Sequence, residues 1–301
     1  MRVFVTGASG FIGSAVVPEL IGAGHQVVGL ARSDASADAI AAAGAEVHRG
    51  ALDDLDSLRA GAEASDGVIH LAFIHDFSAH EDAARTDLRA IETFGAALKG
   101  SDRPLVIASG ALGVAPGRVA TERDMPEPGA AASPRVVSEQ TVLALAANGI
   151  RSSSVRLAPT VHGEGDHGFV AALIGIARVK GVSGYIGDGS SRWPGVHRLD
   201  AAQLIRLAVD GAPAGSVLHG VADEGVPVRD IAEAIGRHLD MPVVANAPED
   251  ADDHFGWLAR FLAFDSPASS ALTRELVGWQ PTHPGLLADL DHGHYFSDRS
   301  A

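Results

Sequence analysis

Val3-Phe4-Val5-Thr6-Gly7-Ala8-Ser9-Gly10-Phe11-Ile12-Gly13 is the stretch on which the reading of this chain turns. Val3 to Val5 is a short apolar run, and after the glycines Ala15, Val16, Leu20 and Ile21 recur at helical spacing, so the order is strand, tight turn, helix. In Gly7-x-x-Gly10-x-x-Gly13 the first glycine permits the turn, the second lets backbone amides approach phosphates, and the third allows close packing of helix on strand. The helix N-terminus then faces the pyrophosphate. Three spaced glycines alone say little, but between a strand and a helix they predict a dinucleotide site that Ser9, Phe11 and Ile12 complete.

Working outward, Gly22 and Gly24 stop the helix and Gln26 to Leu30 is an unalternated apolar run, as in a strand covered on both faces. Further strands are expected at Glu46–His48, Val68–Leu71, Leu105–Ala108 and Ser153–Leu157, with helices near Ala37–Ala43, Leu55–Ala60, Glu81–Lys99 and Pro134–Ala147. Strands alternating with helices imply an α/β fold with a doubly wound parallel sheet. Ser133 is read as the N-cap of the last helix, Pro134 as its first residue, and Asn148-Gly149 as its end. Beyond Pro159 the pattern loosens into Gly- and His-bearing loops. Helices are expected there near Phe169–Arg178, Ala201–Asp210 and Val228–Leu239, with a strand near Val217–His219. Residues 1–158 read as the cofactor domain, and 159–301 mainly as a smaller substrate lobe with segments returning to the first domain. Pro242 to Pro267 shows no clear periodicity.

Composition excludes several classes. The 301 residues carry a formal charge of −15, which disfavours nucleic acid and anionic membrane surfaces as partners. With 46% hydrophobic residues the chain can bury roughly 75% of its unfolded surface. The absence of cysteine removes disulfides and thiolate chemistry and suits a reducing compartment. The N-terminus runs straight into the glycine turn, and the longest apolar stretch falls short of the roughly 18 residues of a membrane span. A cytoplasmic location is therefore expected.

After the second strand comes Leu30-Ala31-Arg32-Ser33, where a site selective for NAD would place an acid on the ribose 2′-hydroxyl. An arginine there pairs with a 2′-phosphate, so NADP(H) is expected in preference to NAD(H), with Arg32 and Ser33 at the adenosine end. The competing reading makes Arg32 an exposed loop cation and Asp34 the selector.

The TGxxGxxG turn resembles that of the short-chain dehydrogenase/reductase superfamily, in its extended epimerase/dehydratase-like group. Val68-Ile69-His70-Leu71-Ala72, Arg156-Leu157-Ala158-Pro159 with Val161-His162-Gly163, Gly187-Asp188-Gly189 and Val196-His197-Arg198-Leu199-Asp200 match in the same order. The resemblance implies a Rossmann-type cofactor domain and a C-terminal lobe that closes over the nicotinamide. It places Leu71, Ala72, Phe73, Pro159 and Val161 against the cofactor, and homodimers in this group often pair through the helices after the fourth and fifth strands. It also exposes a departure. The family's Tyr-x-x-x-Lys helix matches here with Ala131 at the Tyr position and Arg135 at the Lys position, and the chain's two tyrosines, Tyr185 and Tyr295, are elsewhere. Arginine stays protonated, so Arg135 can hold ribose or substrate but cannot serve as a base. The chain is thus closest to the atypical, tyrosine-lacking branch.

Another group must then handle the proton on the reacting oxygen, and histidine near its natural pKa is the usual choice. His75, with Asp76 as orienting carboxylate, follows the fourth strand; the competing reading is a solvated loop pair. His162 lies beside the expected nicotinamide, either as an acid or as support of its turn. Ser109 is a weaker candidate at the family serine. Phe77, Tyr185, Trp193 and His197 are expected to shape the substrate pocket, with Trp193 as an apolar wall, and their character favours an apolar or aromatic ligand. Arg192, Arg198 and Asp200 read as anchors between lobe and domain. His292-Gly293-His294 and the His162 to His167 stretch lack the context of a zinc site, and no metal is expected. Three activities fit these residues: an NADP(H)-dependent oxidoreductase or epimerase-like enzyme, a catalytically silent NADP(H) sensor or scaffold, and a non-redox isomerase or dehydratase.

Overall fold

The structure, a computed structural model, describes residues 1–74, 80–126 and 135–297. Seven strands form one parallel sheet: β1 (Arg2–Thr6), β2 (Gln26–Ala31), β3 (Glu46–Arg49), β4 (Gly67–His70), β5 (Pro104–Gly110), β6 (Arg151–Leu157) and, from far along the chain, β10 (Ser216–Gly220). Their order is β10-β6-β5-β4-β1-β2-β3, and all neighbours run parallel. The alternation of a strand sends Val3 and Val5 to one face and Phe4 to the other. On the first face Val3, Val5, Val106 and Val155 pack with α1 (Gly13–Gly22) and α7 (Arg198–Gly211). On the second, Phe4, Val68 and Leu105 meet α3 (Leu55–Glu63), α4 (His80–Leu98) and α5 (Val136–Ala144). Helix α2 (Asp34–Ala42) joins β2 to β3. The strand order reverses between β1 and β4, the place where open α/β sheets bind ligands.

The remaining strands make two small sheets. β7 (Thr160–His162) pairs parallel with β9 (Arg192–His197), which pairs antiparallel with β11 (Asp223–Pro227), and β8 (Ser183–Ile186) pairs parallel with β12 (Val243–Asn246). They share a core with α6 (Phe169–Lys180), α8 (Val228–Leu239), α9 (Ala251–Phe255), α10 (Ala259–Leu262) and α12 (Leu286–Asp291), centred on Trp193, Ile231, Leu258 and Leu286. A further helix, α11 (Ala271–Val277), packs on β10 and α7.

Before Pro159 the departures from the sequence expectations are at element ends, whereas beyond it the stretches read as loops hold strands β7, β8, β9 and β11, each too short for its pattern to show. Helix α5 begins at Val136, Ser133 and Pro134 lie outside the described residues, and Leu145–Asn148 tightens into a 3-10 turn closed by Gly149 at φ 69°. Helix α2 starts at Asp34 because Ser33 caps it, accepting from the Ser36 amide at 3.2 Å. The unread stretch from Pro242 holds β12 and several short helices, too brief for periodicity to show. No described helix is long and apolar enough to cross a membrane.

Candidate active site

Gly7 has φ +71°, and a Cβ on it would lie 2.7 Å from the Ala72 nitrogen; one on Gly13 would lie 2.0 Å from the Gly7 carbonyl oxygen. The turn, the end of β4 and the start of α1 are therefore as close as backbones can come. The Ser14 amide already bonds back to the Gly10 carbonyl at 2.8 Å, so the amides left without a described partner at this helix start are those of Phe11, Ile12 and Gly13, in the corner itself.

A buried chain of hydrogen bonds supports it from below. Asp87 on α4 lies 3.2 Å from His70 Nε2, His70 Nδ1 lies 2.7 Å from Thr6 Oγ1, and Thr6 Oγ1 accepts from the Ala72 amide at 3.3 Å. A carboxylate only accepts, so Nε2 carries the proton, Nδ1 takes the Thr6 hydroxyl hydrogen, and the Thr6 oxygen is left to receive the amide. Burial pushes the Asp87 carboxyl up, but the hydrogen bond from His70 and the charge of Arg135 hold it below the usual carboxylate range. His70 belongs to a stretch matched to the family, yet its partners are remote in sequence and nothing local marks them.

Ser109, near the end of β5, is partly exposed. Arg135 donates to the Ala108 carbonyl, and its guanidinium lies 4.4 Å from the centre of the Phe73 ring, so it bridges the ends of β4 and β5. Burial lowers its pKa, against the charges of Asp87 and Glu139, from a value so high that it stays cationic. One turn along α5, Glu139 meets the fully buried Arg156, with Nη2 to Oε2 at 2.8 Å and Nε to Oε1 at 2.9 Å. His75, Asp76 and Phe77, like Ala131, lie outside the described residues.

At the end of β2, Arg32 is exposed, and no described residue forms a hydrogen bond or ion pair with it. Asp34 is engaged instead, by Arg49 Nη2 at 2.7 Å. The Ser33 hydroxyl and amide both serve the cap of α2.

On the other side Pro159 and Val161 are half-buried and lead into His162, which has no exposed surface. Its Nδ1 lies 2.9 Å from Asp289, which also meets His294 Nε2 at 3.0 Å. His162 Nε2 is buried without a hydrogen-bond partner among the described residues, and the His197 ring stands edge-on at 5.5 Å. Tyr295 reaches back to donate to Asp166 at 2.8 Å and to accept from the Gly163 amide at 3.2 Å. Burial raises both Asp166 and Tyr295, so this tyrosine is a fastener and a poor acid. Among the described residues no three metal-ligating side chains are placed to hold one ion.

Two expectations for the lobe need correction. Trp193 is no pocket wall: it has no exposed surface, donates to the Phe261 carbonyl at 3.2 Å and fills the lobe core, because β9 is the middle strand of its sheet. Arg192 does not bridge lobe and domain but pairs with Asp265 at 2.8 Å within the lobe. Arg198 does reach the glycine turn, 5.3 Å from the Phe11 ring centre, while Asp200 binds the His283 region. Tyr185 is half-buried on β8.

His197 caps α7, its Nδ1 accepting from the Leu199 amide, and stacks on His283 with ring centres 4.8 Å apart. Burial first, then the neighbouring His162, depress its pKa to about 4. Between pH 6.5 and about 4 the unfolded chain binds a proton that the folded ring refuses, so this group's contribution to stability is complete above that window and fades as pH falls through it. NMR titration of the His197 ring protons is expected to give a midpoint near 4; a midpoint above 6 contradicts the burial argument.

Residues 3–218 match the family model described as NAD dependent epimerase/dehydratase family. The chain belongs to that family. It is 49% identical to an uncharacterized protein of Schizosaccharomyces pombe, over 98% of this chain and all of that one. A Stigmatella aurantiaca 4-hydroxy-2-methyl-3-oxo-4-farnesyl-3,4-dihydroquinoline-1-oxide ketoreductase is 28% identical, over 76% of this chain and 70% of its own. Among solved structures, UDP-glucose 4-epimerase of Thermus thermophilus with NAD superposes with a TM-score of 0.76 at 21% identity, covering 99% of this chain and all of that one. The agreement is one of fold, and it bears out the doubly wound parallel sheet read from the alternation of strands and helices.

Proposed function

We propose that this chain is an NADP(H)-dependent oxidoreductase or epimerase-like enzyme acting on a small-molecule carbonyl or alcohol, of the branch that lacks the family tyrosine. The observation that carries the reading is the Gly7 to Gly13 corner, a cradle that a single Cβ would fill and into which a helix N-terminus points. A nicotinamide cofactor bound there supplies or accepts hydride. The chain's own residues do the rest: the glycines admit the phosphates, Arg32 meets the 2′-phosphate, Ala72 and Phe73 border the ribose and nicotinamide, and Arg135 holds the nicotinamide ribose. Asp34 pairs with Arg49 while staying almost wholly exposed, so the choice of Arg32 as selector rests on its cationic charge and its place just after β2. The proton falls to His75 or Ser109 rather than to His162, whose ring has no surface from which to reach substrate. On this reading 1–158 is the cofactor domain and 159–301 mainly the substrate lobe, in a cytoplasmic protein that pairs through α4 and α5. The dihydroquinoline ketoreductase among the relatives supports carbonyl reduction.

Fluorescence titration with NADPH and then NADH tests it. NADPH is expected to bind at least tenfold more tightly, and Arg32→Asp to reverse the order. Equal affinities sink the selectivity, and failure of both cofactors to bind sinks the enzyme. Tight binding without turnover of any carbonyl in a broad screen favours the sensor instead.

A further inference from the structure

Beyond the cofactor corner the lobe carries an aromatic surface. Phe169 opens α6 directly after Gly168, with ring centres 5.7 Å from Trp257, 5.1 Å from Phe261 and 5.5 Å from the buried Trp193. Trp257 is 45% exposed, an unusual position for the largest apolar side chain, whereas Trp193 and Trp279 have no exposed surface. The Arg260 guanidinium carbon lies over the Phe261 ring, 4.5 Å from its centre. Beside them Asp252, Gly256, Trp257 and Arg260 line an open cavity of about 190 Å³. Its volume is of the order of the roughly 150 Å³ that an aromatic ring needs, and it is open to solvent on one side.

The place of this surface ties it to the reaction. His167, two residues before Phe169, stands edge-on to Phe11 of the nucleotide turn at 5.8 Å, and Cα atoms two apart are separated by about 7 Å at most. Leu112, two residues beyond β5 and three from Ser109, packs against the same lobe core. Phe169, one end of the aromatic patch, therefore stands within about 7 Å, Cα to Cα, of a residue that touches the glycine turn.

We propose that Phe169, Trp257, Phe261 and Arg260 form the substrate subsite, and that it takes a flat, uncharged aromatic carbonyl compound rather than a nucleotide sugar. The inference rests on the enzyme reading above. Ring faces reward planar ligands by stacking, and an exposed tryptophan gains most when a ligand covers it. A diphosphate needs several cations. Among the described residues lining the cavity Arg260 is the one cation, Asp252 shares the lining with it, and the chain's charge of −15 repels anions further.

Trp257 is its own reporter, because the other two tryptophans are buried. Naphthaldehyde is expected to quench the accessible tryptophan emission of the wild-type protein without cofactor, UDP-glucose to leave it unchanged, and Trp257→Leu to abolish the quenching. With NADPH present, Trp257→Leu should raise the KM for naphthaldehyde at least tenfold and leave NADPH affinity within twofold. The milder Trp257→Phe should recover most of the loss, and circular dichroism of each variant checks its folding. Quenching that persists in Trp257→Leu, an unchanged KM, or UDP-glucose binding more tightly than naphthaldehyde overturns the subsite. If NADPH fails to bind while naphthaldehyde still quenches Trp257, the enzyme reading fails and the aromatic site stands as a binding site.

Discussion

Glu139→Ala is expected to lower the unfolding free energy by about 3–5 kcal/mol, because it leaves a guanidinium in the interior with its counter-charge removed. Arg156 has no exposed surface, and Glu139 answers it with both carboxylate oxygens while also accepting from Ser154 at 2.6 Å. After truncation the cation keeps the Asp124 carbonyl at 2.6 Å and the Met125 sulfur, which cannot offset its desolvation. The double variant Glu139→Leu, Arg156→Met should lose far less, since replacing both ions by apolar groups of similar volume is often close to neutral. Urea denaturation of the three proteins decides the matter. A single variant within about 1 kcal/mol of wild type means that water or a rearranged partner reaches Arg156. The consequence extends to the site, because α5 also carries Ser138 and follows Arg135, whose grip on Ala108 depends on that helix staying in place.

Gly13→Ala is expected to weaken NADPH binding at least tenfold and to cost about 1–3 kcal/mol of stability through overpacking. Its Cβ would stand 2.0 Å from the Gly7 oxygen and 2.8 Å from the Ala8 Cα, both backbone atoms, so α1 must retreat from the turn. The amides aimed at the phosphates retreat with it. Gly22→Ala, in the last turn of the same helix with nothing within 4 Å of its Cβ, is the control. It should stabilise by up to about 1 kcal/mol and leave cofactor binding alone. If both variants bind NADPH like wild type, the corner is not a phosphate site.

Local signals made the first half of the fold legible. Val3 to Val5, the glycines and the helix after them lie within a span of about twenty residues, and each constraint is short-ranged: an apolar run, a backbone conformation, a helical period. Trp193 shows where such reasoning stops. An aromatic residue near a ligand lobe reads equally as wall or core, and the choice is made by strands β7 and β11 flanking β9, both brief and mixed in pattern. Asp87 likewise looks like any acid on an amphipathic helix until β4 brings His70 against it.

The sequence by itself determined the class of fold and the glycine turn, since each depends on residue type at a fixed local spacing. Tertiary structure alone decided which polar groups meet. Tyr295 fastens the Gly163 turn from 132 positions away, His70 supports Ala72 through Thr6, and Trp257 rather than Trp193 faces outward. Such pairings depend on how the sheet order and the lobe bring distant segments together, and the burial that makes them strong exists only once the chain has folded.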